Sequence, residues 1–184
     1  MTALDFLARW RVRLGYLLTI VVLLLARPTP RSIAIGAVLG IIGLCIRAYA
    51  AGYLHKQEIL TITGPYAHTR NPLYFGSSFL ALGAALATNS VLAAAPLLIY
   101  FAVVYAFVMR REELELQQQH GAAFVAYASS VPLFFPRLRA ANNAAIGGKR
   151  FSWVQYQKNH EYQATLGFAL LLIGLILIWR LRLH

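Results

Sequence analysis

Polar and aromatic residues are concentrated in one stretch between two apolar segments, residues 64–76, with the sequence GPYAHTRNPLYFG. Arg70 within it is a fixed cation, and a guanidinium group pairs with a carboxylate through two parallel hydrogen bonds. A Gly-Pro pair opens the stretch, and Asn71-Pro72 is a second turn signal that also suits the first turn of a helix. We therefore predict a tight polar loop that leads into a membrane helix and offers a site for an anionic group.

A second group of charged residues, Arg-Arg-Glu-Glu, occupies residues 110–113. Glu112, Glu113 and Glu115 are three of the six acidic residues in the chain. One interpretation is a solvated helix start, where carboxylates in the first turn interact favourably with the helix dipole. The other is an anionic site for a cationic ligand, because acidic residues at the membrane boundary are energetically costly. A ligand with a carboxylate, an ammonium group and a second positive centre would suit Arg70 together with these glutamates.

Three side chains of the loop have both a structural and a chemical interpretation. Tyr66 and Tyr74 are either interfacial aromatic residues, which are common where membrane meets water, or walls of a ligand site. His68 is either a solvated histidine or a general base. Since no His, Cys or carboxylate cluster has metal-ligand spacing, the sequence predicts no metal site.

Arg47 lies within the second apolar segment, about seven residues before its end. One interpretation is a side chain that snorkels to the membrane interface. The alternative is an ion pair with Glu58, Glu112 or Glu113 that shapes the pocket.

The composition is that of an integral membrane protein. Of the 184 residues, 59% are hydrophobic and 12% are charged, and the mean hydropathy is +0.60. Soluble domains are about half apolar and about a quarter charged. The net charge of +11 comes from basic residues that flank apolar segments, which favours anionic membrane lipids as partners over nucleic acid. The single cysteine, Cys45, lies in an apolar run, where we expect burial to keep its thiol inert.

The apolar runs predict an all-α polytopic membrane protein, a single unit over residues 1–184 with about five transmembrane helices. The third run is short, so a third and fourth helix that cross only partly are an alternative. A separate amphipathic helix is expected at 110–128, with Leu116, His120, Phe124 and Tyr127 at helical spacing, and an interfacial loop at 137–160. The five runs cover about residues 14–26, 32–54, 73–87, 91–109 and 164–179.

The basic residues also predict an orientation. Most of the 17 Lys and Arg residues fall on the side that holds the N-terminus, the loop at 64–76 and residues 110–160. Because positively charged loops remain in the cytoplasm, this side is expected to be cytoplasmic. The predicted location is the cytoplasmic membrane of a bacterium or archaeon, with the active site on the cytoplasmic face.

Five short motifs, in this order and spacing, resemble the isoprenylcysteine carboxyl methyltransferase and phospholipid methyltransferase superfamily over about residues 47–136. The family pattern has R-H-P-x-Y-x-G, and this chain has Asn71 where His is usual. The motifs are Gly64-Pro65-Tyr66, Arg70-Asn71-Pro72-x-Tyr74-x-Gly76, Arg111-Glu112-Glu113-x-x-Leu116, Gly121-x-x-Phe124-x-x-Tyr127, and Val131-Pro132 with Pro136.

The resemblance implies a membrane-embedded methyltransferase that uses S-adenosylmethionine, with its catalytic core at 47–136 and an interfacial loop and last helix at 137–184. The expected catalytic residues are Arg70, Glu113 and His68, with His68 as the nearest candidate base if the acceptor is an amine. The implied cofactor-binding residues are Tyr66, Arg70, Asn71, Pro72, Tyr74, Gly76, Glu112 and Glu113.

The expected acceptor is lipophilic and enters from the bilayer, and the carboxylate of an isoprenoid or prenylcysteine-like molecule is favoured. A phospholipid or small-amine N-methyltransferase remains an alternative, as does a non-enzymatic membrane protein. A membrane reductase would need a dinucleotide, whose phosphates the paired glutamates would repel.

Overall fold

Residues 3–55, 59–141 and 150–182 are described by a computed structural model, with side chains from residue 14 onward. Within these ranges the regular structure is entirely helical, which confirms the predicted all-α fold. A short 3-10 helix, Gly64–Ala67, precedes α3. The α-helices are α1 (Ala3–Leu25), α2 (Pro30–Tyr53), α3 (Pro72–Thr88), α4 (Val91–His120), α5 (Ala122–Ser130), α6 (Trp153–Lys158) and α7 (Tyr162–Leu181).

Three of these helices, α2, α4 and α7, are long and apolar enough to cross a membrane. Two shorter apolar stretches, Leu14–Leu25 within α1 and the whole of α3, occupy the positions of the first and third predicted runs. The chain is therefore a polytopic integral membrane protein. The count of five crossings stays a prediction.

The predicted boundary between a fourth membrane helix and a separate amphipathic helix at residue 110 is wrong. Helix α4 continues through this point to His120, because Arg and Glu are good helix formers and no Gly or Pro interrupts the backbone there. The break comes at Gly121, whose φ of 52° favours glycine. Glu112 and Glu113 thus lie inside a long helix, and the interpretation as carboxylates of a first turn is excluded.

The chain divides into two compact units. The first unit packs closely at small residues: a Cβ on Gly36 would clash with the backbone of Gly83, and a Cβ on Gly40 would clash with the ring of Phe168. Its segments are Met1–Ile41, Ser78–Val108 and Leu166–His184, and those of the second unit are Ile42–Ser77 and Met109–Thr165.

The second unit holds all the charged and aromatic residues singled out above. Its region 137–160, predicted as a loop, contains α6, and residues 142–149 lie outside the described part of the chain. Asn159, which follows α6, donates two hydrogen bonds of 2.9 Å to the carbonyls of Ala51 and Leu54 at the end of α2. Cys45 lies at the outer surface of α2, a candidate membrane span, and is not buried inside the protein.

Candidate active site

The loop before α3 is fixed by the segment that follows α5. The backbone N–H of Arg70 donates to the Pro132 carbonyl at 2.9 Å, and the Ala67 carbonyl accepts from Ala141 at 3.0 Å. Gly64 enters the 3-10 helix with φ of 60°, against the ring of Tyr53, where a Cβ would lie 2.6 Å from a ring carbon. These contacts hold the backbone of Arg70 in place, so its side chain starts from a defined position.

Asn71, which replaces the usual His, secures the same loop. Its side chain is buried and donates through Nδ2 to the Leu133 carbonyl at 3.0 Å, and its own carbonyl accepts from the backbone N–H of Phe75 at 3.0 Å. Thr69 adds a hydrogen bond of 2.9 Å from its hydroxyl to the Phe134 carbonyl. Asn71 therefore joins the start of α3 to the segment after α5.

Two side chains from the loop and α3 meet two carboxylates of α4. The Nη1 group of Arg70 forms an ion pair with Oε1 of Glu113, and the Tyr74 hydroxyl donates to Oε1 of Glu112 at 2.5 Å. The Arg70 and Glu113 side chains are mostly buried, with 17% and 20% of their surface exposed. Because α4 is continuous, one rigid helix presents both carboxylates to this loop.

A cavity of about 280 Å³ opens between these groups. This volume is just below the range of roughly 300–1,000 Å³ that is typical of small-molecule sites. The predicted site residues that line the cavity are Tyr66, Arg70, Asn71, Pro72, Tyr74, Glu112 and Glu113.

Two predicted site residues, His68 and Gly76, are not among the residues that line the cavity. Nδ1 of His68 lies 2.8 Å from the Arg137 carbonyl, which can only accept, so Nδ1 donates there. Gly76 serves close packing, since a Cβ there would lie 2.7 Å from Cγ of Arg47 and 2.8 Å from the Gly43 carbonyl oxygen.

The cavity contains two histidines that sequence reasoning did not assign to the site, His55 and His120. Nδ1 of His55 lies 2.9 Å from the Tyr53 carbonyl. A neutral imidazole that donates from Nδ1 has an acceptor at Nε2. The signal for His120 was present in the helical spacing of Leu116, His120 and Phe124, and all three line the cavity. His55 follows the end of α2 and gave no local signal.

Two buried tyrosines form the wall behind Arg70. The Tyr127 hydroxyl donates to the Tyr66 carbonyl at 2.7 Å. Burial raises the pKa of Tyr66 well above its ordinary value, and nearby Tyr127 and Glu112 raise it further. Burial also raises the pKa of Tyr127, against a smaller opposing effect of Arg70. Both phenols are therefore neutral near pH 7.

Two buried polar atoms at the cavity have no hydrogen-bond partner among the described residues. They are the hydroxyl oxygen of Tyr66 and Nε of Arg70. Buried polar groups in folded proteins are nearly always paired, so each such atom calls for an explanation.

Arg47 pairs with Glu161 and not with Glu112 or Glu113, so these two expected partners are wrong. The third expected partner, Glu58, lies outside the described residues. The Arg47 guanidinium binds Glu161 through two hydrogen bonds of 3.0 and 2.9 Å, and Nη1 also donates to the Ser77 hydroxyl. This network joins α2 and α3 to Glu161, the residue before α7. Among the described residues, no three His, Cys, Asp or Glu side chains come together as a metal site.

Comparison with known proteins identifies a family and two relatives. Residues 10–123 match the phospholipid methyltransferase family. The chain is 37% identical over 94 residues to the nickel-cobalt-cadmium resistance protein NccN of Alcaligenes xylosoxydans xylosoxydans, covering 50% of this chain and 44% of NccN. It is 35% identical over 106 residues to the cobalt-zinc-cadmium resistance protein CzcN of Cupriavidus metallidurans, covering 54% of this chain and 49% of CzcN. The chain thus spans about half the length of the curated relatives it matches, and no solved structure matches.

Proposed function

Because the chain belongs to the phospholipid methyltransferase family, we propose that this membrane methyltransferase moves a methyl group from S-adenosylmethionine to a lipophilic acceptor. The observation that carries the proposal is the cavity in which Arg70 lies beside Glu112 and Glu113. The cavity thus has a positive side chain close to two negative ones. This arrangement suits a ligand that itself has positive and negative groups.

The cavity residues fit the cofactor group by group. S-adenosylmethionine has a carboxylate, which Arg70 would hold, and an ammonium group, which Glu112 or Glu113 would hold. Tyr66 and Tyr74 would form walls for the adenosine or for the sulfonium, which is attracted to an aromatic face. Asn71 and Pro72, at the start of α3, would form the part of the cavity wall between Tyr66 and Tyr74.

When bound, the cofactor supplies a methyl group that its own sulfonium charge has already activated. The residues of this chain then have to align the acceptor and exclude water. Alignment alone can provide up to about 7–11 kcal/mol of barrier reduction. The apolar side chains of Leu116 and Phe124, which line the cavity, supply part of the water-excluding wall.

The favoured acceptor is the carboxylate of an isoprenoid or prenylcysteine-like molecule, which enters from the bilayer while the cofactor enters from the cytoplasm. A carboxylate is ionised near neutral pH and needs no general base. An amine of a phospholipid headgroup is the second candidate, supported by the description of the family. An amine must lose a proton, and His55, which lines the cavity and whose Nε2 would be the free acceptor, would take it in this case. His68 was the nearest candidate base in the sequence, and it does not line the cavity.

The names of the two relatives refer to resistance against nickel, cobalt, zinc and cadmium. The methyl-transfer proposal rests instead on the family match and on the cavity. The proposed location is the cytoplasmic membrane, with the N-terminus and the cavity on the cytoplasmic face, where anionic lipids attract the basic loops.

The proposal predicts that the purified protein in lipid nanodiscs binds S-adenosylhomocysteine, the product form of the cofactor. Arg70→Ala and Glu113→Ala should each weaken this binding by about 2–5 kcal/mol, because each removes the charged group that would hold the carboxylate or the ammonium group of the ligand. Arg139→Ala, which alters an exposed arginine of the same unit, is the matched control and should bind like the wild type. Calorimetric titration measures the affinity of the wild type and of the three variants for S-adenosylhomocysteine.

Absence of binding by the folded wild-type protein would contradict the proposed cofactor, and unchanged binding by both cavity variants would contradict the proposed site. Incubation of membranes with tritium-labelled S-adenosylmethionine, followed by identification of the labelled molecule, would then decide between the carboxylate and the amine acceptor.

A further inference from the structure

The outer face of α5 is almost entirely apolar. Its exposed residues at the spacing of one helix face are Ala122, Val125, Ala126 and Ser129. The one polar group among them, the Ser129 hydroxyl, donates to the Ala126 carbonyl of the same helix at 2.8 Å. The opposite face holds the buried rings of Phe124 and Tyr127, which line the cavity. The inner face of α5 thus belongs to the candidate site, and the outer face suits an apolar partner.

The segment after α5, residues 134–139, holds two large apolar side chains in the open. Phe135 is 76% exposed and Leu138 is 98% exposed. The backbone between them is nevertheless fixed, since the N–H of Arg137 donates to the His68 carbonyl at 2.9 Å. Nη1 of Arg137 also donates to the Ser130 carbonyl at the end of α5, at 2.6 Å. Exposed apolar side chains on a fixed backbone are typical of surfaces that bind a protein or a membrane.

The charges beside these side chains indicate which partner it is. Arg137 and Arg139 flank Leu138, and both are exposed. The chain has no acidic residue between Glu115 and Glu161. Arginines that alternate with apolar side chains suit an anionic leaflet, because the apolar groups enter the acyl boundary while the guanidinium groups stay among the lipid phosphates.

The length of α5 shows how it can meet a membrane. The helix has nine residues, whereas about 20 are needed to cross the hydrocarbon core. A helix this short can bury an apolar outer face in lipid only by lying along the boundary between lipid and water.

We propose that α5 and residues 134–139 form a surface that binds the anionic leaflet of the membrane. Val125, Phe135 and Leu138 enter the acyl boundary, and Arg137 and Arg139 lie at the lipid phosphates. This contact places the cavity, which has α5 as one wall, at the depth of the lipid headgroups. The inference goes beyond the proposed function and does not depend on methyl transfer.

The test measures the surroundings of single side chains in the full-length protein. Val125→Cys and Leu138→Cys, each in a Cys45→Ala background, are labelled with a nitroxide and reconstituted into nanodiscs of phosphatidylcholine and phosphatidylglycerol. Electron paramagnetic resonance compares collisions of the label with oxygen, which concentrates among acyl chains, and with a water-soluble nickel chelate. We expect oxygen collisions to exceed nickel collisions severalfold at both positions. Because both native side chains are exposed, neither substitution removes packing from the core.

Gln118→Cys in the same background is the matched control, because Gln118 is exposed on the charged part of α4 and does not line the cavity. Nickel collisions should exceed oxygen collisions there. An excess of nickel collisions at position 125 or 138 would place that position in water and overturn the inference. Few collisions with either reagent would mean that protein, such as a second copy of the chain, covers the surface, and this result would overturn it as well.

The charge of the lipid has its own readout. Nanodiscs of phosphatidylcholine alone should give a lower oxygen-to-nickel ratio at position 138, because the arginines lose their anionic partners. With phosphatidylglycerol present, Arg139→Gln should lower this ratio by about half, since it removes one of the two exposed arginines of the segment. A ratio that is the same with and without phosphatidylglycerol would overturn the anionic leaflet as the partner.

Discussion

Glu112 and Glu113 each have a partner within the protein, the Tyr74 hydroxyl for one and Arg70 for the other. A ligand with both signs of charge that binds here therefore exchanges contacts with these two pairs. The ammonium group of the ligand replaces some of the hydrogen bonds that Arg70 and Tyr74 donate to the two carboxylates. The carboxylate of the ligand replaces some of the hydrogen bonding that Glu113 provides to Arg70. The affinity then depends on the difference between two sets of charged hydrogen bonds, which makes the geometry of single residues decisive.

The raised pKa of the buried Tyr66 predicts how the stability of the folded protein depends on pH. The pKa of Tyr66 is raised in the folded protein, so its contribution to stability is fully present below its unfolded pKa of about 10 and is lost as pH rises above that value. We expect the unfolding temperature of the wild type to fall in this alkaline range, and that of Tyr66→Phe to fall less steeply. Thermal unfolding at a series of alkaline pH values measures both slopes. Identical slopes would show that Tyr66 does not contribute.

At the scale of helices and loops, the continuity of α4 decides where the carboxylates lie. The sequence showed the change from apolar to charged residues at 110, but hydropathy reports on the surroundings of a helix and not on where its backbone ends. Gly121 provides the break, and glycine there has a physical reason in its positive φ.

The positive φ of Gly121 predicts that alanine is tolerated less well at position 121 than at Gly167 in α7. Gly121→Ala should destabilise the protein by about 1–3 kcal/mol, because a side chain is forced into a sparsely populated backbone conformation. Gly167→Ala in α7 is the control, since neither glycine has another atom within 4 Å of an added Cβ. An alanine in a helix interior should be neutral or stabilising. Denaturant unfolding in detergent measures both, and equal effects would mean that the conformation of Gly121 is not needed.

The loop and the paired glutamates were visible in the sequence because their residue types are unusual in an apolar chain. The contacts that the site residues and their neighbours make with distant segments of the chain could not be predicted from the sequence. Arg47 and Glu161 are separated by 114 positions, and the loop is fixed to residues after α5 by backbone hydrogen bonds that leave no mark on residue types. His55 likewise enters the site through tertiary structure, whereas His68, closer to Arg70 in sequence, does not line the cavity.

At the scale of the whole molecule, the apolar helices predict which side of the membrane each terminus occupies. Five crossings would place residues 2 and 184 on opposite sides, with residue 2 in the cytoplasm. Thr2→Cys and His184→Cys, each in a Cys45→Ala background, can be labelled in cells with a membrane-impermeant thiol reagent. The background removes the single native cysteine of the chain, so that only the introduced thiol reacts. Labelling of both termini from the same side would contradict five crossings.

The presence of Arg70, Glu112 and Glu113 at one cavity also bears on turnover. Around Arg70 the carboxylates are in excess, so this part of the cavity attracts a ligand with net positive charge. Methyl transfer removes the sulfonium charge, and the product is therefore attracted less strongly than the cofactor it came from. Under the proposed function, the same two carboxylates that admit the cofactor favour its replacement after each reaction. The preference should weaken as added salt screens these charges.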